Sequence, residues 1–377
     1  MLNLLRRSRT RLAPLVALGA AVGLSACSRG DDSKELLKAL ENAGVKQAQA
    51  AESPQQNAVN PRLLRRFAPL RPRVDIDVDK ALPARIDLGR MLYFDERLSK
   101  NHDLSCNSCH GLERYGVDNE VTSPGHRGVR GARNSPTVYN AAGLFTQFWD
   151  GRATTVEEQA AGPLLNPVEM AMPDGAHVVR VLKSMPGYVE AFEKAFPEVP
   201  APVTFENVGR AIGAFERGLT TPSRWDEYLQ GNSRALSEAE VEGLKAFTNL
   251  GCMVCHTGEF VGGSMYQKVG AVTPWPNQAD PGRFAMTKNE ADRMVFRVPT
   301  LRNVARTAPY FHDGSAKTLP EAVRLMGKHQ LGIELGDAET ASIVAWLDSM
   351  TGALPTAYIK EPTLPASTPA TPKPDPR

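Results

Sequence analysis

Two scarcities shape this sequence of 377 residues. It has only five cysteines, and aromatic residues make up 7% of it. So few rings leave an all-protein core of this size short of large side chains, and so few thiols exclude a dense disulfide scaffold. Neither sign of charge dominates. The formal balance is +2, and four of the arginines (Arg6, Arg7, Arg9 and Arg11) fall in an N-terminal leader whose loss takes it to −2. A near-neutral chain lacks the basic footprint of a nucleic-acid binder. Alternating strand patterns are also rare, whereas Gly (31) and Pro (29) are frequent, which predicts long ordered loops between helices.

What is present begins with the leader. A cationic start, the short apolar run LAPLVALGAAVGL and then Leu-Ser-Ala-Cys describe an export signal over 1–26. The run is too short to span a bilayer comfortably. The cysteine after Leu-Ser-Ala resembles a bacterial lipobox, which makes Cys27 the lipidated first residue of the mature chain. Ser28 after it suggests sorting to the outer membrane, on the periplasmic side. Residues 27–79 read as a polar tether, with one short helix in SKELLKALENA, and 354–377 as a Pro-rich tail, extended and mobile.

The globular part between them is mainly α. SEAEVEGLKAFTNLGC carries a capping box, Ser237 with Glu240, ahead of Val241, Leu244 and Phe247 on one face. FENVGRAIGAFERGL and AETASIVAWLDSM show similar stripes. An internal repeat divides this part in two. NSPTVYNAAGLFTQFWDGRATTVEE and RVPTLRNVARTAPYFHDGSAKTLPE align without a gap at an offset of 163, with Trp149 against His312 and the Thr155/Glu158 pair against Thr318/Glu321. The expectation is a duplicated unit, with domains over 80–220 and 221–353.

Each half carries one CxxCH, Cys106–Cys109–His110 and Cys252–Cys255–His256, so every cysteine except Cys27 is used. CxxCH is the attachment signature of c-type haem: two thiols form thioethers with the vinyl groups and the adjacent histidine turns onto the iron. Paired disulfides would leave the histidines unexplained. Two covalent haems follow, with His110 and His256 as proximal ligands, and their bulk compensates for the missing aromatics. Spacing alone leaves the sixth ligands open among His102, His126, His177, His312 and His329, and among Met265, Met286, Met294, Met326 and Met350. His126, on a Gly-rich loop, and Met326, before a loop, are the favoured members.

The segments LGRMLYFDERLSKNHDLSCNSCH, RNSPTVYNA, FWDGRA, EEQAAGPLLNPVEM and VPTLRNVARTAPYFHDGSAKTLPEAVRLMGKHQLG resemble the bacterial di-haem cytochrome c peroxidases. The resemblance implies two cytochrome c-like haem domains, the first peroxidatic and the second for electron transfer. It implies that His126 caps the peroxidatic iron at rest and leaves on activation. Met326 matches the methionine ligand of the second haem, and Trp149 the tryptophan between the haems. Gln159 and Glu169 match the pair beside bound peroxide, and Asn134, Thr307 and Pro309 a calcium site built mostly from backbone oxygens and water. The substrate would be hydrogen peroxide, and the donor a small cytochrome c or a blue-copper protein. A homodimer and a membrane contact through the lipid are further implied partners; nucleic acid is not.

Two other functions compete. A non-catalytic di-haem electron carrier would keep both irons six-coordinate and make Glu169 and Gln159 incidental. A maturase-like di-haem oxidase would act on a protein partner, but that relative has tyrosine where this chain has Met326.

Overall fold

The apolar stripes become helices at the expected places. The computed structural model describes residues 59–71 and 82–377. The leader, Cys27, the tether up to residue 58 and its predicted helix lie outside the described residues. Helices of eight residues or more are α1 (Leu82–Phe94), α2 (Val156–Leu165), α3 (Gly175–Lys183), α4 (Pro186–Ala195), α5 (Phe205–Glu216), α6 (Glu238–Asn249), α7 (Leu319–Met326) and α8 (Asp337–Asp348). Among the described residues the named strands are β1 (Tyr266–Lys268) and β2 (Val295–Arg297), antiparallel, with Tyr266 opposite Arg297.

Two apolar cores form. In the first, α1 packs on α4 and α5, and α2 on α5, burying Leu88, Leu92, Tyr93, Phe192, Val208, Ile212 and Phe215. In the second, α8 packs on α6 and α7, burying Trp225, Leu244, Phe247, Ile343, Trp346 and Leu347. Each central crossing rests on a glycine. A Cβ on Gly89 would strike the Ala211 carbonyl, and one on Gly243 the Ser342 carbonyl, so only a bare Cα lets these backbones approach so closely.

Positions 163 apart adopt the same local conformations. Asn140 and Asn303 are both left-handed at φ 60°, Phe148 and Phe311 at 62° and 71°, and Gly151 and Gly314 at 72° and 62°. Isolated bridges join Gln147 to Ala153 and Tyr310 to Ala316. The two asparagines also converge, since Asn140 Nδ2 and Asn303 Nδ2 both donate to Thr221 Oγ1, at 2.9 and 2.8 Å.

The capping boxes differ in detail from expectation. Ser237 and Glu240 form a reciprocal box. Thr155 and Thr318 do cap α2 and α7, but Glu158 and Glu321 reach back one residue further, to the amides of Thr154 and Lys317, both at 2.8 Å. Each carboxylate thus satisfies the amide just before the cap instead of the cap's own amide.

Two boundary readings are corrected. Within the span read as tether, residues 59–71 are docked on the fold, with Val59 and Phe67 buried in the second core and Leu70 in a small cluster with Ala141, Leu144 and Phe260. Phe67 meets Trp225 edge-on at 5.4 Å, and Leu70 N–H donates to Asp226 at 2.7 Å. The tail is extended but docked on the first core. Ile359 is buried, Tyr358 stacks on Phe215 at 5.1 Å, Thr368 Oγ1 donates to Ser184 O, and Arg97 donates to Pro365 O. Proline fixes an extended path without helix or sheet bonds, and neighbouring side chains satisfy the freed carbonyls.

The Arg302–Asp226 pair holds the N-terminal segment, the Trp225 turn and the second core together. It is bidentate at 2.8 and 2.9 Å, with the side chains 0% and 5% exposed. Burial alone would raise the Asp226 carboxyl, but Arg302 and the amides of Leu70 and Ser223 outweigh it and hold it below its ordinary value. Stability from this group is therefore complete above the unfolded-state pKa and is lost as pH falls through the lower folded one. Asp226→Ala is expected to destabilise the fold by about 3–5 kcal/mol in denaturant titration, because it strands a buried guanidinium. A loss well under 1 kcal/mol would contradict that role.

Candidate haem sites

A cavity opens beside each cysteine pair. Cys106–Cys109 is a single helical turn capped by Ser105 and Ser108, and it sets His110 at its C-terminal end. The His110 ring is buried, which lowers its pKa, and its Nδ1 lies 3.4 Å from Gly116 O. In the second half Cys252–Val254 is a 3₁₀ turn, and His256 Nδ1 lies 3.3 Å from Val261 O. Burial brings His256 down to about 4. Both imidazoles are thus neutral, with Nδ1 engaged by a carbonyl and Nε2 left for a metal, the usual support of a histidine ligand.

The four cysteines are free thiols. Burial pushes Cys106 up to about 12 and Cys252 up to about 11, so neither is poised as a thiolate nucleophile.

The first cavity, about 180 Å³, is lined by Cys106, Cys109 and His110, by Gln159 and Glu169, and by Trp149 and Arg297. Glu169 comes from the turn after α2, where Asn166 Nδ2 donates to its Oε1 at 2.9 Å. Burial raises the Glu169 pKa against the opposing pull of Arg152 and Asn166. The second cavity, about 520 Å³, is lined by Cys252, Cys255, His256 and Met326, with His312, Trp149 and Arg297 on one wall and apolar side chains of α7 and α8 on another.

Trp149 therefore belongs to both cavities. It is 9% exposed, and its Nε1 donates to Asn134 O at 2.9 Å while its own carbonyl accepts from Arg297 N at 2.8 Å. Its repeat counterpart His312 lies beside it, ring centres 6.4 Å apart, and stacks on Phe296 at 4.2 Å.

Because α2 and α7 begin at equivalent positions, their side chains can be compared one for one. Pro163 in the first cavity stands where Met326 stands in the second, and Gln159 where Ala322 stands. The first half thus carries a ring that cannot bind iron where the second carries a thioether, and an amide where the second carries a methyl group.

The remaining predicted residues fall as follows. His126 is buried but is not among the side chains lining the first cavity. Its Nε2 lies 3.4 Å from Arg377 O and its Nδ1 has no partner, while neighbouring Gly125 does line the cavity. Asn134, Thr307 and Pro309 all line the second cavity. Asn134 Nδ2 donates to Glu120 O at 3.0 Å. Among the described residues no group of three or more His, Cys, Asp or Glu side chains could hold a metal ion, so a cation here would need main-chain oxygens.

Sequence reasoning missed two residues. Glu216 lines the first cavity, and burial raises it to about 8, so it is protonated at neutral pH. Arg297 lines both cavities. The repeat held a clue to Arg297, since it is the counterpart of Asn134; nothing in FERGL marked Glu216 as different from a solvated acid.

These residues fit a covalently attached haem in each half. Both cavities place a CxxCH pair and a neutral histidine at a wall, and they leave Arg297 Nη1 and His312 Nε2 buried without partners.

Comparison with known proteins agrees. Residues 83–234 match the family described as di-haem cytochrome c peroxidase. A cytochrome c551 peroxidase of Pseudomonas aeruginosa is 48% identical, over 76% of this chain and 84% of that protein. One of Nitrosomonas europaea is also 48% identical, over 77% and 86%. Among solved structures, a MauG-like protein associated with microbial copper homeostasis superposes with a TM-score of 0.67 at 30% identity, covering 81% of this chain and 99% of that one.

Replacing Cys106 and Cys109 by Ser is expected to reduce covalent haem from two per chain to one, read by intact mass and haemochrome absorbance. Retention of two would contradict the assignment of the first cavity.

Proposed function

This chain belongs to the di-haem cytochrome c peroxidase family, and on that premise we propose that it reduces hydrogen peroxide to water in the first cavity. The overall change is H2O2 with two protons and two electrons to two waters. The observation that carries the assignment is the contrast between halves: Met326 faces the second cavity, whereas Pro163, Gln159 and Glu169 face the first.

When bound, haem would supply the redox-active iron in each cavity. His110 would hold the first iron and His256 with Met326 the second. A His/Met site has a raised potential, so the second site is the proposed entry for electrons, delivered singly by a small cytochrome c or a blue-copper protein. Trp149, common to both cavities, is the proposed electronic connection.

The other steps belong to protein side chains. Glu169, with Oε1 tied to Asn166, would take a proton from one oxygen of peroxide and return it to the other. Its burial favours the protonated form that the second transfer needs. Gln159 orients peroxide through its amide. His126, held off the cavity beside Arg377, is the proposed resting-state cap in its withdrawn position.

The reading further includes calcium on the oxygens of Asn134, Thr307 and Pro309, a periplasmic location with a lipid on Cys27, and a homodimer. Duplication of one haem unit accounts for the paired conformations, with domain limits at 80–220 and 221–353. The maturase-like alternative is disfavoured by Met326 and by the 48% identity to proteins named as peroxidases.

Glu169→Gln preserves volume and a hydrogen-bonding oxygen but cannot accept a proton. Peroxide turnover with a reduced donor is expected to fall about 10²–10⁴-fold, with haem absorption unchanged. A native rate in that variant would sink the role given to Glu169.

A further inference from the structure

Among the described residues, Arg297 is a buried cation without an anionic partner. The residue is 4% exposed. Its Nε donates to Phe148 O at 3.2 Å, and its Nη1 has no partner. The acids nearby are engaged elsewhere: Asp150 pairs with Arg133 at 2.6 Å and Arg152 at 3.1 Å, and Asp280 pairs with Arg133 at 2.6 Å. Burial lowers the Arg297 pKa to about 10, so the guanidinium stays charged at neutral pH. An unpaired buried ion is strongly unfavourable, and such groups are normally matched by an opposite charge. On the same wall His312 Nε2 is a second buried nitrogen lacking a partner.

The location narrows the missing anion. Arg297 lines both cavities, flanks Trp149 through the backbone bond Arg297 N to Trp149 O, and faces the space each haem would fill. A haem attached through its vinyl groups carries charge on its periphery only at its propionates. A guanidinium with a free Nη1 on its planar fork suits a carboxylate better than a point cation would.

We propose that Arg297 is a carboxylate anchor at the wall between the cavities, binding a haem propionate beside Trp149. This rests on the di-haem reading above. Its consequence is electrostatic: a fixed positive charge near the macrocycle disfavours the ferric state, so Arg297 raises the potential of the haem it binds.

The test is spectroelectrochemical titration of the full-length holoprotein. Arg297→Gln is expected to lower the potential of at least one haem, by about a tenfold change in the ferric/ferrous ratio, which is 59 mV for a one-electron couple. Arg293→Gln removes an exposed charge just before β2 and should leave both potentials in place. Unchanged potentials in Arg297→Gln, with both haems retained, overturn the proposal. So does an Arg297 effect that appears only when chloride or phosphate is added, since a free anion would then be the occupant. If Arg297→Gln does not load haem, Arg297→Lys keeps the charge but loses the fork. Its resonance Raman propionate bands should shift while the axial-ligand bands do not, and unshifted propionate bands overturn the anchor. Fewer than two covalent haems in the unaltered protein would instead overturn the di-haem reading.

Discussion

The hydrogen bond from Trp149 Nε1 to Asn134 O is the joint on which both sites depend. It fixes a bulky indole that lines both cavities. The adjacent bond from Arg297 N to Trp149 O ties β2 to the same point. From this wall the first cavity runs toward α2 and α5 and the second toward α7 and α8. A shift of the indole would alter both haem environments together, because each cavity has the ring as part of its lining.

Around that joint the halves are alike in backbone and unlike in side chains. The left-handed asparagines meet at Thr221, and the proximal histidines use the same Nδ1-to-carbonyl support. At the 163-residue offset, however, tryptophan faces histidine, asparagine faces arginine, and proline faces methionine. The Pro163–Met326 pair has the plainest chemical meaning. A thioether can complete the coordination of an iron, and a pyrrolidine ring cannot. One backbone pattern thereby carries a candidate sulfur ligand in the second cavity and an amide and a carboxylate in the first.

Much of this was legible in the residues. One CxxCH ahead of each copy of the repeated segment pointed to both sites, because covalent attachment demands a spacing within the motif that chance seldom supplies. The stripes of α5, α6 and α8 were readable since a 3.6-residue period survives without tertiary context. The docking of 59–71 and 354–377 was not readable. Phe67 and Ile359 lie in short stretches broken by arginine or proline, with no sustained helix or strand period, and only a surface distant in sequence gives them a place to bury. Arg297 and Glu216 escaped for a related reason: a charged residue in a sequence looks solvated until the structure reveals what encloses it. The contact of His126 with Arg377, 251 positions away, has no local signature.

The central claim is that the two halves hold irons of different coordination and potential, joined through the Trp149 wall. A stepwise reductive titration, followed by absorption and electron paramagnetic resonance, tests it most directly. The account predicts that the first electron per chain enters the His256/Met326 site, and that the first site then becomes high-spin and binds cyanide or peroxide. Two haems that accept electrons together, or a half-reduced protein six-coordinate at both irons and inert to peroxide, would contradict it.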